Sequence, residues 1–141
     1  MDVLYTARAT ASGGGRDGRS ATDDGKVDVT LSVPKAMGGD DGPGTNPEQL
    51  FATGYAACYL GALRLVSGKA GTPVGKDTRI HSTVGLGPNT KGEGFNLAVT
   101  LKVTDHGLDQ AVIEDLIEKA HAVCPYSNAT RNNIDVELSA A

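Results

Sequence analysis

The chain has no tryptophan, and only 4% of its 141 residues are aromatic. That scarcity argues against a surface that stacks nucleobases. Excess positive charge is also missing: 13 Lys and Arg against 17 Asp and Glu leave a net charge of −4. Duplex-binding surfaces are basic, so no nucleic-acid partner is expected. No uninterrupted apolar run approaches the roughly 20 residues of a membrane span, so no membrane association is expected. The opening MDVLYTARAT lacks the basic segment and apolar stretch of a secretory signal, which makes the cytoplasm the expected location. Cysteine is scarce too, with Cys58 and Cys124 alone. A reducing cytosol disfavours structural disulfides, which leaves inert core thiols or redox chemistry.

What is present is ordinary globular composition, 39% hydrophobic and 21% charged, and this argues against disorder. The length fits one domain over residues 1–141, able to bury roughly 68–70% of its unfolded surface. Loose alternation marks a strand from Val3 to Ala11. Ser12 to Arg19 is a glycine-rich turn. Val27, Val29, Leu31 and Val33 alternate with polar residues as a half-buried strand, and Pro34 to Gly44 is a loop. Thr45-Asn46-Pro47-Glu48 opens a helix, with Thr45 or Asn46 as cap and Thr-x-x-Glu matching a capping box. That helix runs to about Val66 with Gly68 as its stop, and it is apolar almost all round. Gly54, Ala57 and Gly61 would let another backbone come close. Ile80–Leu86 and Phe95–Val103 read as a hairpin turning at Lys91 to Gly94. A second helix spans 109–123, its stripe Val112, Leu116, Ala120 ending on Cys124, and Pro125 terminates it. Ile134, Val136 and Leu138 form a last strand. These elements describe an α+β fold, a largely antiparallel sheet packed on two main helices.

Both cysteines close apolar stripes on helices that should face a common core. A contact between them follows if the stripes meet, yet a small buried hydrophobe explains each equally well. Arg16 is either a solvated turn residue, like neighbouring Arg19, or a fixed cation beside a thiolate. A free thiol with a pKa of about 8.5 is mostly unreactive at neutral pH until a cation lowers that value. Glu48 either favours the helix dipole or orients an arginine through paired hydrogen bonds. His81, His106 and His121 form no metal-binding signature, and His121 with Cys124 supplies only two ligands. Ser12 to Gly18 lacks the lysine and following helix of a phosphate loop. The Asn128-Ala129-Thr130 sequon has no consequence without a signal peptide.

Three blocks then point one way. Gly14-Gly15-Arg16-Asp17-Gly18-Arg19, Asn46-Pro47-Glu48-Gln49-Leu50-Phe51 leading to Ala56-Ala57-Cys58, and Val123-Cys124-Pro125-Tyr126-Ser127-Asn128-Ala129-Thr130-Arg131-Asn132-Asn133-Ile134 occur in this order. Together they resemble the organic hydroperoxide resistance (Ohr) proteins of the OsmC/Ohr family. One departure is Tyr59 after the cysteine, where phenylalanine is more usual.

The resemblance implies a thiol peroxidase that reduces organic hydroperoxides to alcohols in the response to oxidative stress. Cys58 would be the peroxidatic cysteine and Cys124 the resolving one. Arg16 and Glu48 would be the activating pair. No bound cofactor or metal is implied, and lipoylated proteins would supply the reducing dithiol. An intertwined homodimer is implied as well. If Glu48 and Cys58 share one continuous helix, ten residues separate them by roughly 15 Å along its axis, too far for one arginine to serve both from the same chain. A twofold dimer with antiparallel central helices would bring Glu48 of one copy towards Cys58 of the other. Two other functions fit the same residues: a non-catalytic thiol redox sensor, and an apolar-ligand binding module.

Overall fold

The computed structural model describes residues 1–141 and has two compact units, Met1–Leu50 and Phe51–Ala141. The first unit holds a three-stranded antiparallel sheet of β1 (Ala9–Ser12), β2 (Arg19–Thr22) and β3 (Asp28–Thr30). The expected strand from Val3 shrinks to its end, because its partner β2 stops at Thr22, where the chain turns through Gly25 with φ of 70°. Leu31 continues as a single bridge to Thr45, and a short helical turn, Lys35–Met37, lies in the loop that follows.

The glycines of the β1–β2 turn are required by geometry. Gly13 and Gly15 have φ of 69° and 74°, which disfavours other residues. At Gly18 a Cβ would stand 2.0 Å from the Ser12 carbonyl oxygen. This tight reversal fixes the position of Arg16.

Helix α1 (Pro47–Lys69) crosses from one unit into the next. Asn46 caps it by accepting the Gln49 N–H at 2.9 Å. The expected capping box is not formed: Thr45 Oγ1 donates to Gln49 Oε1, and Glu48 is engaged elsewhere. The helix also runs past Gly68. Its stop is Gly71, with φ of 73° and paired bonds from Gly71 N–H to Gly68 and Thr72 N–H to Ser67.

By length and composition α1 would pass for a membrane span. Tyr55, Tyr59, Ala62, Leu63 and Ser67 pack inward, the two tyrosines hydrogen-bonded inside the protein. Its other face is open: Ala57, Gly61 and Leu65 are exposed. Gly54 lies on the same helical face but is covered, because a Cβ there would stand 2.8 Å from the Tyr126 hydroxyl.

The second unit contains a sheet in the order β4 (Arg79–Pro88), β5 (Phe95–Thr104), β6 (Val136–Ala140). β4 and β5 form the expected antiparallel hairpin, and β6 adds in parallel to β5. On β5 the buried Val99, Leu101 and Val103 alternate with exposed Thr100 and Lys102. Burying each such aliphatic side chain contributes about 1.5–3 kcal/mol. They pack with Tyr55, Tyr59 and Leu63 of α1 and with Ile113, Leu116, Ile117 and Ala120 of α2 (Gln110–Val123). The expected stripe is buried from Leu116 through Ala120 to Cys124, while Ile113 replaces Val112 as its innermost first member.

Pro125 ends α2 as expected but also begins α3 (Pro125–Thr130), a six-residue helix absent from the sequence reading. Proline lacks an N–H and has a fixed φ, so it suits a first helical position as well as it ends a preceding helix.

Candidate active site

Cys58 lies mid-way along α1 and Cys124 at the joint between α2 and α3. Both are free thiols, and Cys124 is fully buried while Cys58 is partly exposed. The Cys124 and Cys58 sulfurs lie 3.6 Å apart, within hydrogen-bond reach of one another. The two apolar stripes therefore do converge. Cys124 is held on both sides by backbone bonds: its N–H reaches Ala120 O at 2.9 Å, and its carbonyl accepts the Asn128 N–H at 2.9 Å.

Burial pushes the Cys58 thiol above its ordinary pKa. The Tyr126 backbone N–H, bonded to the sulfur, acts in the opposite direction, while Cys124 adds to the rise. Tyr126 supplies this amide because Pro125 has none and the first turn of a helix leaves its amides without helical partners. The sequence reading missed this donor along with α3.

Three aromatic rings, from α1 and α3, pack together. Phe51 meets Tyr55 edge-on at 5.9 Å, and Tyr126 lies 5.9 Å from Phe51 and 5.6 Å from Tyr55. Phe51 and Tyr126 also line an open, mainly apolar cleft of about 390 Å³ with Leu97, Ala129, Thr130 and Ile134. The unusual Tyr59 donates its hydroxyl to the Ile117 carbonyl at 2.7 Å, and burial pushes its phenol pKa up, so it remains a donor. The added hydroxyl is thus absorbed by α2.

In the first unit Arg16 grips Glu48 with two bonds, Nη2 to Oε1 at 2.7 Å and Nη1 to Oε2 at 3.0 Å. The guanidinium holds the Glu48 carboxyl below its ordinary range, and the carboxylate raises Arg16 in return. Glu48 is only 14% exposed in its side chain and Arg16 42%. A charge-assisted fork of this kind fixes the plane of the guanidinium. Arg19, indistinguishable from Arg16 by local sequence, makes a separate fork to Asp28 at 2.8 and 2.7 Å. That pair is far more exposed, at 60% and 49%. Arg16 and Glu48 are thus brought together, and so are Cys58 and Cys124.

No three His, Cys, Asp or Glu side chains converge as metal ligands. His121 keeps a buried Nδ1 without a partner, and burial, then nearby Arg131, lowers its pKa.

Residues 38–139 match the family model for OsmC-like proteins. The chain is 50% identical over 139 residues to an organic hydroperoxide resistance protein of Xanthomonas axonopodis pv. citri, spanning 99% of this chain and 96% of that one. It is 44% identical to the organic hydroperoxide resistance protein OhrB of Bacillus subtilis, over 96% and 97% of the two chains. Among solved structures, an organic hydroperoxide resistance protein of Legionella pneumophila superposes with a TM-score of 0.91 at 45% identity, covering 99% of both chains. The crystal structure of B. subtilis OhrB superposes with a TM-score of 0.87 at 42% identity, covering 99% of this chain and all of that one. The chain belongs to the OsmC family, within its organic hydroperoxide resistance branch.

Proposed function

We propose that the protein is a cysteine-based peroxidase that reduces organic hydroperoxides to alcohols. The observation that carries the reading is the 3.6 Å separation of two free sulfurs, one partly exposed and one buried. Deprotonated Cys58 attacks the distal oxygen of ROOH, and the O–O bond breaks. The alkoxide takes a proton and leaves as ROH, while Cys58 becomes a sulfenic acid. The Cys124 sulfur then attacks Cys58, water leaves, and a disulfide forms. Closing from 3.6 Å to the roughly 2.0 Å of an S–S bond needs only a small local movement. A dithiol, of the lipoyl class in this reading, returns both thiols by exchange and is itself oxidised to a disulfide.

Attack requires a thiolate, yet burial favours the neutral thiol. A fixed cation would reverse that preference and stabilise the departing alkoxide, and Arg16, oriented by Glu48, has that role in this reading. The continuous helix α1 carries Glu48 and Cys58 ten residues apart. The reading therefore includes a homodimer in which Arg16 and Glu48 of one copy serve Cys58 of the other. The exposed small residues Ala57 and Gly61 support such a close approach of two helices.

Peroxide consumption with excess dithiol tests the chemistry. Wild type should turn over, and Cys58→Ser should not, because a serine hydroxyl stays protonated. Stoichiometric thiol loss without turnover would indicate a redox sensor instead. Mixing Glu48→Ala with Cys58→Ser chains tests the composite site. Heterodimers should regain one working site, and no recovery after confirmed chain exchange would reject it.

A further inference from the structure

Beside its fork to Glu48, Arg16 meets a sulfur. Its Nη1 lies 4.0 Å from Met37 Sδ, and the same nitrogen donates to Glu48 Oε2 at 3.0 Å. All three residues belong to the first compact unit. Met37 ends the short helical turn Lys35–Met37, where its N–H donates to the Pro34 carbonyl at 2.9 Å and Gly38 follows with φ of 82°. Its backbone is thereby held, while the residue as a whole is 39% exposed. The one other methionine of the chain is Met1, fully exposed at the terminus. A thioether sulfur is a weak acceptor, so at 4.0 Å it draws little of Nη1 away from Glu48. A sulfoxide differs in two ways. Its oxygen makes the side chain polar and a far stronger acceptor. That oxygen also stands one bond length beyond the sulfur, and when turned to the guanidinium it reaches about 3 Å from Nη1, an ordinary N–H···O distance.

We propose that Met37 is an oxidation site whose sulfoxide captures the Arg16 guanidinium and weakens its fork with Glu48. The oxidant is an organic hydroperoxide. A lone pair of Met37 Sδ attacks the distal oxygen of ROOH, and the O–O bond breaks. The hydroxyl proton passes from the sulfur-bound oxygen to the alkoxide, which leaves as ROH. The sulfur gains the oxygen and is oxidised by two electrons, and the hydroperoxide is reduced by two. Nη1 then turns from Glu48 Oε2 to the sulfoxide oxygen, and the guanidinium loses the plane that two parallel bonds had fixed. Excess peroxide thus sets a brake on Arg16, and sulfoxide reduction releases it. The effect on turnover rests on Arg16 being the activating cation of the peroxidase reading, whereas the capture of Arg16 does not.

The capture is measured without peroxidase activity in a Cys58→Ser, Cys124→Ser double variant, which has no thiol to over-oxidise. After treatment with tert-butyl hydroperoxide, peptide mass spectrometry should find one added oxygen on Met37. The Glu48 carboxyl, followed by carbon-13 NMR against pH, should then titrate higher by roughly half a unit, the loss of one charged hydrogen bond screened by solvent. Met37→Gln in the wild-type chain puts a permanent amide oxygen near Nη1 and should raise the Glu48 midpoint without peroxide. This variant decides the matter if the double variant does not fold. With both cysteines present, peroxide followed by dithiothreitol should lower turnover several-fold against the untreated protein. Met37→Leu should lose less, since thiol over-oxidation is common to both proteins, and methionine sulfoxide reductases should remove the difference. An unmodified Met37 beside an oxidised Met1, a Glu48 midpoint indifferent to oxidation or to Met37→Gln, or an equal loss of turnover in Met37→Leu would overturn the proposal. A wild type that consumes no hydroperoxide would refute the peroxidase reading, and the Glu48 titration would still decide the capture.

Discussion

The cysteine pair and the arginine–glutamate pair reach fixed geometry by opposite means. Cys58 and Cys124 are brought to 3.6 Å by the packing of α1, α2 and α3, with no charge involved. Arg16 and Glu48 are joined by two charge-assisted bonds between a glycine-rich turn and the first turn of α1. Packing is insensitive to pH and salt but suppresses thiolate formation, since burial raises the Cys58 pKa. Charge pairing depends on both, and it supplies a cation whose orientation is set in advance. The proposed peroxidase chemistry needs a dry, well-placed sulfur and a nearby positive charge, and neither cluster provides both.

Removing the Cys124 sulfur, the resolving thiol of the proposed reading, gives the largest effect that separates the clusters. Cys124→Ser should permit one oxidation of Cys58 and then stop recycling by lipoyl dithiols. Mass spectrometry after limiting peroxide should find sulfenic or sulfinic Cys58, the latter irreversible in most settings. In wild type the same treatment should yield a monomer-sized species without free thiols on a non-reducing gel. A covalent dimer, or full recycling by Cys124→Ser, would refute intramolecular resolution.

The second prediction separates two arginines in the same turn. Arg16→Ala should slow peroxide reduction by about 10²-fold, the scale of losing one preorganised charge donor. Arg19→Ala should change it little, because Arg19 is committed to exposed Asp28. Stopped-flow measurement of both variants decides this, and a slower Arg19→Ala would exchange the two roles.

This distinction also shows where the sequence stops being informative. Period-two alternation located β5, and the four-residue stripe located α2 and its terminal cysteine, because both signals reflect a buried face. The choice between Arg16 and Arg19 depends on pairing across strands. In β2–β3 the register sets Arg19 opposite Thr30 and Ala21 opposite Asp28, so Arg19 and Asp28 are diagonal neighbours on one face. No local pattern around either arginine encodes that. Helix α3 was hidden for a different reason: Pro125 is both a stop signal and a start signal, and six residues are too few for a periodic stripe. The Tyr126 amide was hidden with it.

Substrate choice should be sensitive to the apolar surface formed by α1 and α3 and indifferent to the ion pair. Phe51, Tyr126 and the cleft they line offer surface to an alkyl or aryl group. Burying about 100 Å² at ~25 cal/mol per Å² amounts to about 2.5 kcal/mol, which hydrogen peroxide cannot supply. Catalytic efficiency for cumene hydroperoxide should therefore exceed that for hydrogen peroxide by one to two orders of magnitude. Equal efficiencies would show that the aromatic cluster is structural only.

The smallest expected effect concerns stability, and it compares the two ion pairs directly. The carboxyls of both Glu48 and Asp28 are held below their ordinary pKa, in each case first by hydrogen bonding to an arginine. A carboxylate with a lowered folded-state pKa contributes stability above its unfolded pKa, near 4.3 for glutamate, and loses it as pH falls through the folded value. The contribution should therefore be complete at pH 7 and disappear only in the acid range. Exposed pairs contribute about 0.2–1 kcal/mol, since water and salt screen them. Glu48 is mostly covered, whereas Asp28 is about half exposed, so the Glu48 contribution should be the larger. Glu48→Gln should lower the melting temperature by a few degrees at pH 7, and the gap to wild type should close as pH drops below about 4. Asp28→Asn should lower it less and respond more strongly to added salt. A Glu48→Gln deficit that persisted undiminished into acid would mean that this pair is held by shape and packing, like the cysteines, and not by its charge.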